Sequence, residues 1–307
     1  MRILIDRYVP FLQGVLDELA EVVMLEPEQF TPARVKEADA LIVRTRTRCS
    51  ATMLDGSRVQ FIATATIGTD HIDLDYCQQH GIRVVSCPGC NAKAVCDYIE
   101  EALIEVVKRS FDKLSIGVVG LGNVGKRVYR MARSHGMRVV INDPLLKYDG
   151  DVTQCDIITF HTPLTYGGEH PTWHMCDEDF LSRCNPDALI INAARGGVVD
   201  EQALLRSGHP FIIDTWEGEP KINRDVLENA LLASYHIAGY SVAGKRNASR
   251  TCLEALCEHF KFHQLPLNKK EITEHGDSEP GWLKRITAQL KANPGDFEQL
   301  RKEYKLR

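Results

Sequence analysis

The stretch SIGVVGLGNVGKRV, residues 115–128, restricts the fold of this chain more than any other. An apolar, β-rich run leads into Gly120, Gly122 and Gly125, spaced GxGxxG, and an amphipathic helical segment, Val124 to Arg133, follows. The spacing alone is a weak signal; the strand before it and the helix after it give it meaning. Gly120 would permit a tight turn, Gly122 would let the backbone approach a pyrophosphate, and Gly125 would let helix pack on strand. A diphosphate would then sit at a helix N-terminus, where N–H groups without partners and the helix dipole favour an anion. Asn123 and Val124 complete the loop and count among the candidate cofactor contacts. The next β-rich run ends in INDP, which places Asp143 where an acid can accept from an adenosine ribose hydroxyl. An acid there disfavours a 2′-phosphate, so the expected cofactor is NAD rather than NADP. The competing reading of Asp143 is a turn residue before Pro144.

Around this motif, short β-rich runs alternate with helical stretches. Strands are expected at 2–6, 21–25, 40–45, 59–65 and 83–87, with helices from Phe11 to Ala20 and Leu74 to His80. A longer helix is expected from about Asn91 to Arg109. A second series of strands follows at 115–120, 138–142, 156–161, 188–193 and 211–216, then a helix near 244–263 and a charged tail. Alternation of this kind implies βαβ units and parallel sheets. The expected class is α/β, with two Rossmann-like or flavodoxin-like parallel-sheet domains and a cleft between them. The substrate (catalytic) domain takes 1–95 plus 240–307, the last part a C-terminal extension that looks like a surface or partner-binding element. The NAD-binding domain takes 96–239.

Composition excludes several classes of partner. A net charge of −5 lacks the basic footprint of a nucleic-acid binder. No apolar run approaches the roughly 20 residues of a membrane span. The N-terminus, with Asp6 inside its apolar stretch, reads as a first strand and not as a signal peptide, so a cytoplasmic location is expected. Ten cysteines in such a chain are expected as buried thiols. Cys87 and Cys90 form one CxxC, but no second pair stands at zinc-site spacing, so no metal is expected and CPGC reads as a turn.

Three later segments, each at the end of an expected strand, can supply chemistry. INAARGGVVD offers Arg195, DTWEGEP offers Asp214, Glu217 and Glu219, and SYHIAGY offers His236. Taken singly, each has a plain alternative: a surface turn, a loop acid, a satisfied polar residue. Together they supply three parts of one reaction. Oxidation of a secondary alcohol needs a base for the hydroxyl proton, and histidine titrates near neutrality. A carboxylate on the imidazole orients it and stabilises its cation. An arginine can hold a substrate carboxylate with two parallel hydrogen bonds.

The order GxGxxG, ARGGVVDEQAL, DTWEGEP, HIAGYS is similar to that of the D-isomer-specific 2-hydroxyacid dehydrogenases. The resemblance implies a catalytic set of Arg195, Glu219 and His236, with Asp143, Thr162, Asp214 and Gly239 on NAD and Thr45, Thr66 and Tyr240 on the substrate. FIATATIGTDHID (61–73), PGCNAKAV (88–95), FHTPLT (160–165) and HIAGYSVAGK (236–245) resemble one branch of that family. Its members oxidise a phosphorylated four-carbon 2-hydroxy acid at C2 on a route to pyridoxal 5′-phosphate. A small phosphorylated acid is therefore the expected substrate, and a homodimer the expected assembly. Arg44, Arg46 and Arg48 flank Thr45, but strict alternation would put all three on the face opposite it. Three features depart from the family pattern: little room for a helix between Asp143 and the run at 156, a short run from Arg195 to Asp214, and a short tail. Alternatives are another substrate, such as 3-phosphoglycerate or an unphosphorylated acid, and an NAD-responsive binding protein on the same fold.

Overall fold

The computed structural model describes residues 1–262 and 279–306. They fall into two compact units, 1–91 with 241–262 and 92–240 with 279–306. The first is built on strands β1 (Arg2–Asp6), β2 (Glu21–Leu25), β3 (Ala40–Val43), β4 (Phe61–Thr64) and β5 (Arg83–Val85). All neighbours pair in parallel, in the order β2-β1-β3-β4-β5, the flavodoxin-like order. Short helices α1 (Pro32–Val35), α2 (Ala51–Leu54) and α3 (Leu74–Gln79) lie in the connections. The strands are apolar on both faces because both faces are covered. Leu4, Leu41, Val43 and Ile62 pack with Val35, Leu54 and Cys77 on one side, while Ile3, Ile5, Ile42 and Ala63 face the other.

The expected helix over 11–20 is absent. The chain forms turns there, with Phe11 and Gly14 both at positive φ (64° and 76°), and Leu12 and Leu16 still reach the core. Burial of a few apolar residues satisfies the pattern without a regular helix. The strand expected over 40–45 ends at Val43. Residues 44–47 turn, with the Thr47 N–H donating to the Arg44 carbonyl (3.0 Å). The alternating faces expected for Arg44, Arg46 and Arg48 therefore do not arise.

The second unit begins with α4 (Ala92–Val106) and continues with β6 (Ser115–Val119), α5 (Gly125–Ser134), β7 (Arg138–Asp143) and the two-residue β8 (Tyr148–Asp149). Then come β9 (Ile157–Phe160), α6 (Glu178–Ser182), β10 (Leu189–Asn192), α7 (Glu201–Ser207), β11 (Phe211–Ile213), α8 (Arg224–Asn229) and β12 (Leu232–Ala233). The sheet order is β12-β11-β10-β9-β6-β7-β8, parallel except for β8. The shortness noted after Asp143 has a visible consequence: no helix separates β7 from β9, and β8 folds straight back on β7 as an antiparallel edge. Leaving β6, the chain goes first to β7 and later to β9 on the other side. Ligands of such sheets bind beyond the strand ends at that reversal.

The chain re-enters the first unit as α9 (Val242–Phe260), which lays Cys252, Leu253 and Leu256 on the face formed by Ile3, Ile5 and Ile42. The tail, expected to extend the substrate domain, does otherwise over its described part. Helices α10 (Trp282–Ala292) and α11 (Phe297–Glu303) pack on the second unit through Leu283, Leu290, Phe297 and Leu300. Amphipathic spacing within a charged segment supplied that apolar stripe; residues 264–278 of the expected tail lie outside the described residues. The ten cysteines are free thiols, and CPGC is a turn, the Cys90 N–H donating to the Cys87 carbonyl (3.2 Å). No helix among the described residues is long and apolar enough to cross a membrane.

Candidate active site

The glycine loop joins β6 to α5. Gly120 has φ +87°, and a Cβ there would stand 3.0 Å from Thr162 Cγ2. A Cβ on Gly125 would stand 2.0 Å from the Gly120 carbonyl oxygen, so the helix start approaches the end of the strand there only because residue 125 is glycine. Gly122 meets nothing within 4 Å. Asn123 is exposed and Val124 half-buried at the head of α5. No side chain caps this helix, whereas Asp177, Asp200 and Asn223 cap α6, α7 and α8. Asp143 closes β7, its Oδ2 accepting from the Leu121 N–H (2.7 Å) and its Oδ1 from the Leu146 N–H (3.2 Å). It is thereby locked against the loop. His161, at the end of β9, was not singled out in the sequence. Burial holds its pKa down at about 3, and its buried Nδ1 has no hydrogen-bond partner among the described residues. An open backbone loop, an uncapped helix start, a fixed acid and an orphaned ring nitrogen together suit a dinucleotide.

The second half of the site is a set of interlocked turns beyond β10, β11 and β12. Asn192, buried at the end of β10, accepts from the Ala194 N–H (3.1 Å) and donates to the carbonyls of Arg195 (3.0 Å) and Thr215 (3.4 Å). One amide thus ties the arginine turn to the glutamate turn. Gly196 tightens the same junction: a Cβ there would lie 1.9 Å from the Trp216 carbonyl oxygen. Arg195 emerges half-buried, with Nη1 on the Ala194 carbonyl (2.7 Å).

Glu219 and His236 meet directly. Nδ1 of His236 lies 2.8 Å from Oε2 and 3.2 Å from Oε1 of Glu219, and Oε1 also accepts from the Trp216 N–H (2.9 Å). Burial pushes the Glu219 pKa up, but His236, the Trp216 amide and Arg301 outweigh it, so the carboxyl stays below its usual range. An ionised carboxylate can only accept, so the shared proton belongs to Nδ1, and in a neutral imidazole the lone pair is then on Nε2. The neighbouring acid, Glu217, turns away and pairs with His174 (2.6 Å).

Asp214 was expected to touch NAD. It is 1% exposed, and its carboxylate accepts from Ser234 Oγ (2.6 Å) and from the N–H groups of Ile237 (2.7 Å) and Ala238 (3.0 Å). As placed, it supports the histidine turn from beneath. Thr162 follows β9 and points Oγ1 at Met175 Sδ (3.6 Å), beside Gly120. Gly239 and Tyr240 are half-buried at the end of the unit, the Tyr240 N–H donating to the Ile237 carbonyl (2.8 Å). In the first unit, Thr45 is exposed just past β3, and Thr66 is held past β4 by Thr64 Oγ1 (2.6 Å) and the Gly68 carbonyl (3.1 Å).

Sequence reasoning missed Asn192, Glu201 and Arg301. Asn192 had a signal, a polar residue closing an apolar run before ARGG. Glu201 accepts from the Glu217 N–H (2.6 Å), and burial pushes its pKa up to about 7. Arg301 comes from the tail, where nothing local marked it.

A doubly wound sheet with a glycine loop at its reversal and a histidine–glutamate pair beside an arginine turn defines a class of dehydrogenase. The family model for the catalytic domain of D-isomer specific 2-hydroxyacid dehydrogenases matches residues 7–267, and the chain belongs to that family. It is 40% identical to an erythronate-4-phosphate dehydrogenase of Bacteroides thetaiotaomicron, over all of this chain and 97% of the relative. It is 42% identical to the enzyme of that name from Porphyromonas gingivalis, over 87% of this chain and 77% of the relative. Among solved structures, NAD⁺-bound 3-phosphoglycerate dehydrogenase of Entamoeba histolytica shares the fold, with TM-score 0.70 and 24% identity over 89% of this chain and 97–100% of such neighbours, 99% in this case.

Proposed function

We propose that this chain oxidises 4-phospho-D-erythronate at C2 to (R)-3-hydroxy-2-oxo-4-phosphooxybutanoate with NAD, in the synthesis of pyridoxal 5′-phosphate. The observation that carries this reading is the Glu219–His236 contact of 2.8 Å, with the glutamate turn tied to that of Arg195 through Asn192. The second unit would be the NAD domain and the first the substrate domain. Gly120, Gly122, Asn123, Val124, Gly125, Asp143, Thr162 and Gly239 would line the dinucleotide, with Asp214 acting through the turn it braces. NAD, when bound, supplies the hydride acceptor.

The protein's own residues supply position and charge. Nε2 of His236 takes the C2 hydroxyl proton as the C–H electron pair leaves. Glu219 stabilises the imidazolium that results. Arg195 holds the carboxylate bidentately and polarises the developing carbonyl. Thr45, Thr66 and Tyr240 supply hydroxyl groups to the substrate. A homodimer in the cytoplasm belongs to the same reading, and light scattering on the purified chain checks the dimer.

The test is an assay of the full chain with 4-phospho-D-erythronate, with and without a 2-oxo acid that could reoxidise bound NADH in place. Turnover in either arm supports the proposal. Turnover on 3-phosphoglycerate or an unphosphorylated 2-hydroxy acid alone moves the substrate within the class. No turnover on any 2-hydroxy acid, with partner binding that responds to NADH, replaces enzyme with binding protein.

A further inference from the structure

The last helix of the chain delivers a guanidinium to this site. On α11, Phe297 is fully buried and Leu300 7% exposed, which fixes the face from which Arg301 projects. Arg301 Nε donates to the Tyr240 hydroxyl (2.9 Å), and its guanidinium carbon lies 5.6 Å from the Tyr240 ring centroid. Its Nη1 pairs with Glu298 (3.3 Å), and the side chain is 27% exposed. The Tyr304 ring stands 6.4 Å from that of Tyr240 and 6.2 Å from that of Tyr235. The same cation is among the groups that keep Glu219 ionised.

An apolar side chain could have packed α11 at no desolvation cost, and a half-buried arginine is retained only where its hydrogen bonds and charge offset that cost. A phenol on a short irregular segment has two torsions to fix; a guanidinium that bonds its oxygen while lying within cation–π range of its ring restricts both. We propose that Arg301 is a positioning residue that sets the Tyr240 hydroxyl for the substrate. The inference rests on the reading of Tyr240 as a substrate contact, and it gives the tail a part in substrate recognition.

The test uses the full chain with Arg301→Gln, Arg301→Lys, Tyr240→Phe, the Arg301→Gln/Tyr240→Phe double variant, and Lys302→Ala as a control on the same helix. A charge-assisted hydrogen bond is worth about 1.5–3 kcal/mol, about ten- to a hundredfold in an equilibrium constant. Arg301→Gln is expected to raise KM for the phosphorylated acid about tenfold, a larger effect than any fall in kcat through Glu219, and to leave KM for NAD alone. Arg301→Lys recovers part of the loss. The double variant loses no more than the larger single loss, since both act through one contact. Additive losses, or a folded Arg301→Gln protein with unchanged KM, overturn the proposal.

A second arm needs no turnover. With 3-fluorotyrosine incorporated, the Tyr240 fluorine signal, assigned by its absence in Tyr240→Phe, shifts in Arg301→Gln and not in Lys302→Ala. An unmoved signal overturns the positioning role. If the signal shifts while the unaltered chain turns over no 2-hydroxy acid, the positioning stands and the functional reading fails separately.

Discussion

His236 sits at φ +59°, a left-handed conformation that costs a residue other than glycine. The cost is offset from below. Its N–H donates to the Asp214 carbonyl (2.9 Å), and the next two amides donate to the Asp214 carboxylate. The imidazole is then set by Glu219 alone among the catalytic candidates. Loss of a general base costs about a hundred- to ten-thousandfold in rate. His236→Ala should lower turnover by such a factor while NADH binding, read by fluorescence, stays near normal; near-normal turnover would sink the assignment. Asp214→Asn makes a different prediction. An amide has one acceptor oxygen where the carboxylate has two, so one donor among Ser234, Ile237 and Ala238 is stranded. A stranded buried donor costs about 1–3 kcal/mol, so urea denaturation should show a loss of that size. Turnover should fall with it, because the turn that carries His236 loosens.

At the scale of elements, the sheets were readable because parallel strands buried on both faces leave continuous apolar runs. RILID and EVVML are strands over their full length, 2–6 and 21–25. The runs that overshot, such as FIIDTW, continue past the strand end at Ile213 into turns whose residues are buried for the site's sake, Asp214 and Trp216 among them. Periodicity cannot tell those two reasons for burial apart. The strand expected to end at His236 is the two-residue β12, Leu232 and Ala233, too short to carry a pattern of its own. Its free edge is closed by Thr287 of α10, whose Oγ1 accepts from the Ala233 N–H (2.8 Å) and lies 3.1 Å from the Ala233 carbonyl. The order of candidate site residues along the chain was legible; the contacts that tie them together, Asn192 to Thr215 and Arg301 to Tyr240, were not, since these partners are distant in sequence. Thr287→Val keeps the shape and removes the acceptor, leaving a buried amide unpaired. A loss of about 1–3 kcal/mol in chemical denaturation is expected. Unchanged stability would mean that α10 covers the edge without bonding to it.

For the molecule as a whole, the buried acid behind the turns of the candidate site makes folding stability depend on pH. Glu201 is 3% exposed at the start of α7, and its pKa is raised to about 7 by burial first and by Glu217, Glu219 and Asp200 after it, against the Glu217 amide that lowers it. The fold therefore binds this proton more tightly than the unfolded chain does. Below the unfolded value, near 4.5, both states are protonated and the fold incurs no penalty from Glu201. Between there and about 7 the unfolded chain gives up the proton first, and stability falls as pH rises. Above that range the penalty is constant, at most about 3 kcal/mol from the size of the shift. Glu201→Gln keeps an oxygen for the Glu217 N–H and removes the titration. Its stability relative to the unaltered protein should be close to even at pH 4.5 and should rise through neutrality to a plateau. Denaturant melts across that range check it, and a difference that does not change with pH would place the buried charge elsewhere. The same acid lies one residue past the cap of α7 and accepts from the Glu217 N–H in the turn that ends in Glu219. A site that must hold a carboxylate against a histidine is thus built at some cost to the stability of the unit that contains it.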